Sequence, residues 1–370
     1  MRVLSPILHK MVYPALGSIG YFHSHPNSVV NVITYHGVLP SGYKSRDTFL
    51  DNTLVEAESF RSQLRLLKKH YNVIEPDQFL QWLRRRHDLP ERAVMLTCDD
   101  GLLNHLSEMV PILQKEQLKC LFFVTGSSLG EAPEVLWYVE LYLMVMEAQG
   151  QDKASVLQGI DIPRLAVGTD QRRCVWLELL EPLSRIDSTG RRKFLDEAAT
   201  RLGLRQGWRS RYLADATLRN RFQLLQLPEL KQLMDAGMTV GAHTRSHPVL
   251  AQQSLDLARS EISECRKGLE QSLGQPVWAI AYPFGDPGSV GPREYGLAEE
   301  AGYECGFVNV GGTLQSSSPR FAFPRIHVTA QMPLATYEAY VSGFHDSLRS
   351  RFRSQSSKAM ACTRMQDSST

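Results

Sequence analysis

The sequence has no large excess of charge of either sign. Its 370 residues include 41 Lys and Arg against 39 Asp and Glu, a formal net charge of +2. Proteins that bind nucleic acid or an anionic membrane through their overall field carry a strong basic bias, which is missing here. We therefore expect no nucleic-acid partner, and other partners must be inferred from local groups of residues.

The sequence also lacks a transmembrane run and a cysteine framework. No stretch approaches the ~18 consecutive apolar residues that cross a membrane as a helix. The six cysteines contain no CxxC pair, which is typical of reduced thiols in a cytoplasmic protein rather than of disulfides in a secreted one. At 43% hydrophobic residues, the chain can bury the core of one large α/β domain or of two ordinary ones.

The N-terminus resembles a signal peptide only in part. Basic residues precede a moderately apolar stretch at residues 11–22, but Pro14, Gly17 and Gly20 interrupt it. No small-residue cleavage site follows. We therefore predict that residues 1–28 form an uncleaved N-terminal arm of a cytoplasmic protein, and that any peripheral membrane contact is made through this arm. Secretion is the less favoured alternative.

Short β-rich runs alternate with helical patterns over most of the remaining sequence. The predicted strands are 29–35, 93–97, 119–124, 239–242, 277–281 and 305–308. The predicted helices are 54–71, 106–117, 230–236, 254–273 and 293–301. This order predicts a parallel sheet with crossover helices, either open or closed into a barrel. We place the domain at 29–346, with a helical insertion at about 127–227, and a disordered polar tail from residue 347.

Two adjacent carboxylates follow the predicted strand 93–97, in the sequence Thr-Cys-Asp99-Asp100-Gly101. Residues just past the carboxyl end of a parallel strand line the functional crevice of an α/β sheet, and Gly101 permits a sharp turn there. Neighbouring carboxylates resist joint ionisation unless a cation intervenes, so one can bind a metal ion while the other remains a base. The alternative is a structural Asx turn or helix cap.

Two histidines four residues apart, His243 and His247, follow the predicted strand 239–242. Neutral imidazole is a common ligand of zinc and related ions, and Gly241 and Pro248 favour a strand-to-loop arrangement over a helix. An isolated pair with this spacing is usually incidental. Together with the aspartates at another strand end, the pair predicts a His-His-Asp site with open positions for water and substrate.

Two further segments stand at predicted strand ends. The segment Ala-Tyr-Pro-Phe-Gly combines a Pro-Gly turn with aromatic rings that suit stacking on a sugar, so we predict substrate binding by Tyr282, Pro283, Phe284 and Gly285. The alternative is an ordinary turn with packed aromatic side chains. The segment Phe-Pro-Arg-Ile-His-Val places His327 in a late strand, where it is either structural or catalytic.

With these motifs together and in this order, the chain resembles the NodB-type polysaccharide deacetylases, carbohydrate esterase family four. Thr-Cys-Asp-Asp-Gly is similar to the family motif T-F-D-D-G, and His-Thr-Arg-Ser-His is similar to H-[ST]-x-x-H. Tyr-His-Gly-Val-Leu-Pro and Ala-Tyr-Pro-Phe-Gly are similar to a bacterial subgroup associated with exopolysaccharide synthesis. The resemblance covers roughly residues 29–126 and 228–330 and implies a distorted (β/α) barrel with fewer than eight strands.

The resemblance also implies roles for individual residues. Asp99 becomes the catalytic base, and the implied ligands of a divalent metal ion, foremost Zn²⁺, are Asp100, His243 and His247. His327 matches the histidine of the family's final motif and becomes the proton donor. Ala281 stands where the third motif has the arginine that orients the base, and no Asp-x-x-Asp-Trp fourth motif is visible. The groups that orient the base and tune the proton donor are therefore not identified.

We accordingly predict a metal-dependent hydrolase that removes acetyl groups from N-acetylated polysaccharides or oligosaccharides. The ion lowers the pKa of a bound water to about 7 and polarises the acetyl carbonyl. Asp99 takes the proton of that water, a backbone N–H of the Ala-Tyr-Pro-Phe-Gly loop stabilises the oxyanion, and protonated His327 delivers a proton to the amine. The alternatives are a C–N hydrolase of another amide, an inactive glycan-binding protein on the same barrel, or structural turns at all four segments.

Overall fold

The computed structural model describes residues 7–23, 30–45, 50–147, 171–315 and 317–349. In these ranges one sheet contains eight strands: β1 (Asn31–Tyr35), β2 (Asn72–Ile74), β3 (Ala93–Cys98), β4 (Leu121–Val124), β5 (Thr239–Ala242), β6 (Ala279–Ala281), β7 (Cys305–Phe307) and β8 (Ile326–His327). Their order is β7-β6-β5-β4-β3-β1-β8, with β2 paired to β3 outside this path. All these pairings are parallel, which confirms the predicted parallel sheet.

The central strands are buried on both faces. All residues of β1, with the sequence NVITY, and of β3, with the sequence AVMLTC, are buried. Such near-continuous apolar runs are expected where crossover helices cover both faces of a parallel sheet. The pairing runs from Asn31 and Val94 to Tyr35 and Cys98. Because the strands are parallel and in register, their carboxyl ends lie together at one edge of the sheet.

The sheet curls towards a closed barrel. β8 pairs with β1 at one end of the path, and a parallel bridge between Phe307 and Phe323 connects β7 to the segment that leads into β8. The distorted (β/α) barrel predicted from the resemblance is thereby confirmed. The expectation of fewer than eight strands is wrong, because the three-residue strand β2 was not recognised in the sequence and raises the number in the described chain to eight.

Helices surround the sheet. Their bounds in the described residues are α1 (Tyr13–Ser18), α2 (Ala57–His70), α3 (Pro76–Leu83), α4 (Val110–Glu116), α5 (Trp137–Glu147), α6 (Gln171–Arg185), α7 (Ser188–Arg201), α8 (Trp208–Tyr212), α9 (Ala216–Phe222), α10 (Leu227–Asp235), α11 (Leu255–Leu273), α12 (Pro292–Glu300) and α13 (Leu334–Val341). The main core lies between the sheet and helices such as α2 and α11, which bury Leu64, Leu67 and Ile262. This packing fixes the edge where the strands end.

The longest of these helices, α11, begins and ends at the residues that the sequence predicts. The Ser254 side chain accepts a hydrogen bond from the Leu257 N–H at 3.3 Å, which caps the first turn. Gly274 ends the helix in the left-handed conformation at φ +66°, which glycine adopts without a steric penalty. The predicted helix 254–273 is therefore confirmed.

The helices α5 to α9 form a second, separate core. Buried side chains from these helices, among them Trp176, Leu179 and Leu195, pack together outside the barrel core. This is the region predicted as a helical insertion. It is tied to the barrel by a buried ion pair in which Arg221 Nε lies 2.6 Å from Asp51 Oδ1. The described part of the insertion is thus a packed unit held against the barrel.

The N-terminal arm lies against the last named helix. Tyr13 of α1 and Phe22 are buried with Ala339 of α13 in a small separate cluster. The Tyr13 hydroxyl lies 2.8 Å from His345 Nδ1. None of the described helices is long and apolar enough to span a membrane. The tail predicted to be disordered lies outside the described residues from residue 350 onward.

Candidate active site

Asp99 and Asp100 follow β3 directly and contact different partners. Asp100 has a φ of +82° and Gly101 a φ of +75°, so the chain turns sharply as the strand ends. A Cβ atom on Gly101 would lie 3.1 Å from the Cβ atom of Val124, tighter than ordinary contact. Glycine is therefore required at this turn, which directs the two neighbouring carboxylates to different sides.

Asp100 meets both predicted histidine ligands. Asp100 Oδ1 lies 3.5 Å from His243 Nε2 and 3.3 Å from His247 Nε2. One ligand atom from each residue falls within 4.8 Å of the other two, and all three residues are buried. Burial raises the pKa of Asp100, but the hydrogen bonds from the two imidazoles and the charge of His36 hold it well below its usual range. The carboxylate is therefore ionised at the point where the imidazoles converge.

These three side chains fit a divalent cation. Two imidazole nitrogens and one carboxylate oxygen are the donor types that zinc prefers. His243 Nδ1 lies 2.7 Å from the carbonyl oxygen of Ala281, so its hydrogen is directed there and Nε2 keeps its lone pair for an ion. No such backbone acceptor holds His247, whose Nδ1 is buried without a partner among the described residues.

Backbone strain is concentrated around these residues. Seven non-glycine residues of the described chain have positive φ, and four of them are at this site: Asp100, Thr244, His247 and Phe284. Non-glycine residues rarely adopt a positive φ unless the surrounding structure imposes it, and residues with such strained backbone cluster at functional sites. The strain supports a functional role for this end of the sheet and argues against ordinary structural turns.

Asp99 is held by an arginine that the sequence analysis did not assign. Arg325, immediately before β8, is fully buried, and its Nη1 and Nη2 atoms each lie 2.7 Å from one carboxylate oxygen of Asp99. Such a bidentate pair fixes both the position and the plane of the carboxylate. Burial raises the pKa of Asp99, but Arg325, His243 and His36 lower it to about 2.

Two further imidazoles lie beside the carboxylates. The rings of His36, just after β1, and His327 of β8 have centroids 4.7 Å apart. His327 Nδ1 lies 3.4 Å from Asn309 Nδ2, and His327 Nε2 is buried without a partner among the described residues. Burial, followed by the charge of His36, lowers the pKa of His327 to about 3, so this ring is neutral at neutral pH.

The predicted sugar-binding loop divides into a buried and an exposed part. Phe284 is 38% exposed, and its ring centroid lies 5.0 Å from that of His247, so it borders the candidate metal site. Tyr282 is only 1% exposed and packs against Tyr295 at 5.6 Å. The prediction that Tyr282 contacts substrate is therefore corrected: its ring belongs to the barrel core, where a sugar cannot reach it.

Comparison with known proteins identifies the family. The sequence matches the family model described as polysaccharide deacetylase over residues 86–141 and 213–305, which include both aspartates and both histidines. The chain belongs to the polysaccharide deacetylase family. No curated protein is significantly similar to this deacetylase in sequence. The match leaves out residues 142–212, most of the helical insertion.

Solved structures share the fold of this deacetylase. It resembles the Streptococcus pyogenes deacetylase PplD in complex with acetate (17% identity, TM-score 0.52), covering 84% of this chain and 96% of that one. It also resembles IcaB from Ammonifex degensii (17% identity, TM-score 0.52), with coverage of 86% and 98%. A third is a de-N-acetylase from Aggregatibacter actinomycetemcomitans (13% identity, TM-score 0.51), with coverage of 84% and 99%. At such low identity these similarities establish the fold alone.

The structure of the deacetylase thus brings together residues that the sequence analysis named and residues that it missed. Asp99, Asp100, His243 and His247 converge, with Phe284 at the border. Arg325 was not assigned, and for His36, at the end of the first strand, a position beside the site and a position in the core were both open. The arginine lies two positions before His327 in the quoted Phe-Pro-Arg-Ile-His-Val segment, and a charged residue beside a short apolar strand was the available signal.

Proposed function

We propose that the protein removes N-acetyl groups from hexosamine units of a polysaccharide or of its lipid-linked precursor, with a divalent metal ion, foremost Zn²⁺. One observation carries the proposal: a carboxylate held by Arg325 lies directly beside the buried cluster of Asp100, His243 and His247. A base next to an electrophilic site is what hydrolysis of an unreactive amide requires.

Asp100, His243 and His247 would hold the ion. When bound, a divalent ion of this kind acidifies a water molecule and polarises the carbonyl to be attacked. His243 is oriented for this by its contact with the Ala281 carbonyl oxygen. Three protein ligands leave positions open for water and substrate, as in catalytic rather than structural zinc sites.

Asp99 would accept the proton of the attacking water. With its pKa lowered to about 2, it is ionised at neutral pH and ready to act as a base. The bidentate contact with Arg325 prevents its side chain from rotating away. Arg325 therefore takes the orienting role for which no arginine is present at position 281, and this weighs against an inactive glycan-binding protein.

The amide of Phe284 is the best placed N–H to stabilise the developing oxyanion. Within the loop, the Tyr282 N–H donates to the Phe307 carbonyl oxygen at 3.1 Å and the Gly285 N–H donates to the Pro283 carbonyl oxygen at 2.7 Å. Proline has no N–H, so Phe284 supplies the remaining donor of the loop. The Phe284 ring lies 5.0 Å from that of His247, so this donor belongs to a residue that borders the proposed metal site.

His36 fits direct proton delivery to the leaving amine better than His327 does. His327 is less favoured for this role, because its Nε2 is enclosed and burial lowers the pKa of its ring to about 3. His36 is partly exposed, and of its two ring nitrogens only Nδ1 is buried without a partner among the described residues. We propose that His36 delivers the proton and that His327 positions its ring.

Substituting each histidine by glutamine tests this assignment. His36→Gln should lower kcat by about a hundredfold to ten-thousandfold, the usual contribution of a general acid, with the metal retained. His327→Gln should have a smaller effect on kcat. Steady-state kinetics with elemental analysis of both variants measures this, and a larger loss for His327→Gln at equal metal content would restore His327 as the direct donor.

Acetate release from a substrate panel tests the overall function. The metal-loaded protein should release acetate and expose free amines on N-acetylglucosamine oligomers in preference to O-acetylated xylan or a cyclic imide. His243→Ala, which removes one proposed ligand, serves as the matched control and should release none. Efficient turnover of the xylan or the imide, with none on N-acetylglucosamine oligomers or their lipid-linked forms, would contradict the substrate assignment.

A further inference from the structure

The helical insertion reaches the candidate metal site at its first helix. Trp137, the first residue of α5, donates a hydrogen bond from Nε1 to the main-chain oxygen of His247 at 2.9 Å, and this contact is buried. A proposed metal ligand is thus fixed by a side chain from outside the barrel.

A second helix of the insertion reinforces this contact. The Arg191 guanidinium of α7 lies 5.2 Å from the centroid of the Trp137 ring and donates to Ser246 Oγ at 2.8 Å. Glu261 of α11 accepts from the Ser246 N–H at 2.8 Å and from Ser246 Oγ at 2.6 Å. The loop before His247 is therefore hydrogen-bonded to the insertion on one side and to a barrel helix on the other. These contacts hold the insertion next to the site.

Tyr138, the next residue of α5, forms an aromatic corner with Phe284. Its ring centroid lies 5.4 Å from that of His247 and 5.9 Å from that of Phe284. Among the described residues, its main-chain oxygen accepts from Trp176 Nε1 at 2.7 Å, whereas no hydrogen bond is found at its phenol oxygen. Tyr138 is partly exposed, whereas its neighbours Trp137 and Val139 in α5 are buried.

An aromatic corner next to a polar centre suits a sugar ring. Aromatic faces bury apolar C–H surface, and a tyrosine hydroxyl adds one hydrogen bond at its polar end. A tyrosine hydroxyl is protonated at neutral pH, because its ordinary pKa is about 10, so it can serve as a donor. The corner is built from two parts of the chain, the insertion and the loop after β6.

We propose that Tyr138 of the insertion is a substrate-binding residue, and that it forms with Phe284 the surface on which an N-acetylhexosamine ring packs while its acetyl group lies at Asp100, His243 and His247. This assignment rests on the proposed deacetylase function of the same site. It gives the insertion a defined role: the insertion completes the sugar site and determines which sugars fit it.

Binding of N-acetylglucosamine tetramer in an Asp99→Asn background tests the proposal without turnover. Calorimetric titration of the metal-loaded full-length protein should give a dissociation constant about tenfold higher when Tyr138→Leu is added, because leucine keeps apolar volume but loses the flat ring. Tyr138→Phe, which removes only the hydroxyl, should cause a smaller rise. Tyr142→Phe, one turn along α5 and packed edge-on against Trp176, is the matched control and should leave the constant unchanged.

Three outcomes decide whether Tyr138 binds substrate. A rise for Tyr138→Leu with the metal content retained supports the proposal. An unchanged dissociation constant overturns it. Loss of metal together with loss of binding also overturns it, because Tyr138 would then act through His247 as a structural residue. Failure of the proposed function gives a different result. The unsubstituted enzyme would bind the tetramer, its dissociation constant would still depend on Tyr138, and it would release no acetate.

Discussion

Two adjacent aspartates have separate tasks because the chain turns between them. Asp99 pairs with the buried Arg325, whereas Asp100 faces His243 and His247. The sequence showed that a carboxylate pair follows β3 and that one member could be a base and the other a ligand. The family resemblance assigned the roles, and the structure provides different partners for each residue that account for such a division.

Substituting each aspartate separately should separate turnover from metal binding. Asp99→Asn should retain the metal and lose turnover by about a thousandfold, since an amide cannot accept the proton of water. Asp100→Asn should weaken metal affinity by at least about tenfold, because a neutral ligand replaces an anionic one. Metal titration combined with acetate release measures both effects. Equal metal affinity in the two variants would show that base and ligand are not divided as proposed.

Arg325 illustrates what a motif search cannot find. The family resemblance predicts the base-orienting arginine at position 281, where alanine stands. The guanidinium instead comes from a position 226 residues after Asp99 in the sequence. Only the curling of the sheet, which places β8 beside β1, brings the two together. Sequence spacing along one motif therefore carried no information about this contact.

Removing Arg325 should lower the free energy of unfolding and also leave Asp99 without the contact that orients its carboxylate. Arg325→Ala leaves a buried Asp99 carboxylate without its counterion, and breaking a buried pair in this way typically costs about 3–5 kcal/mol. Arg320→Ala, five residues earlier, is the matched control: Arg320 is half-exposed and pairs with Glu304 at 3.6 Å, so it should change the free energy of unfolding by less than about 1 kcal/mol. Urea unfolding measures both variants, and equal losses would contradict the role of Arg325.

At the scale of elements, long periodic segments were predictable and short ones were not. The strands β1, β3, β4 and β5 and the helices α2, α10, α11 and α12 lie where hydrophobic periodicity predicts them. β2, α1, α3 and α13 were missed. β2 has three residues, of which only Ile74 is buried, so its sequence is too short to show the alternation of apolar and polar residues that predicts a strand. The short helices owe their stability to tertiary packing rather than to propensity.

The packing of α1 on the chain after α13 should depend on pH. Burial, followed by the charges of His9 and Arg349, lowers the pKa of His345 to about 4, below its ordinary value of about 6.5. The unfolded chain therefore binds more protons between these values, so this packing is fully stable above about pH 6.5 and loses stability as the pH falls towards 4. The other titratable groups nearby are Tyr13, Tyr340 and Asp346.

Hydrogen exchange of the amides in residues 8–18 measures this effect. Exchange, corrected for its intrinsic pH dependence, should speed up between pH 7 and pH 4.5 in the native protein. His345→Gln, which cannot be protonated in this range, should remove most of that change. A pH response of the same size in this variant would place the responsible group elsewhere.

At the scale of the whole molecule, the deacetylase consists of a barrel and a helical insertion that meet at one site. The barrel supplies the carboxylates and the imidazoles at the carboxyl edge of a parallel sheet, and the side chain of Arg325 reaches Asp99 from the start of β8. The insertion supplies Trp137 and Tyr138 at the same edge. The meeting of the barrel residues was predictable because strand ends in a parallel sheet share an edge. The role of the insertion was not, because the resemblance does not cover it.

The central claim is that one divalent ion, held by Asp100, His243 and His247, is required for deacetylation. Acetate release from an N-acetylglucosamine oligomer, followed while metal-free protein is titrated with zinc, tests it most directly. We predict no release without the ion and a rise that saturates at about one ion per chain, with no recovery in His243→Ala at the same zinc concentrations. Full acetate release by protein that elemental analysis shows to be free of metal would contradict the claim.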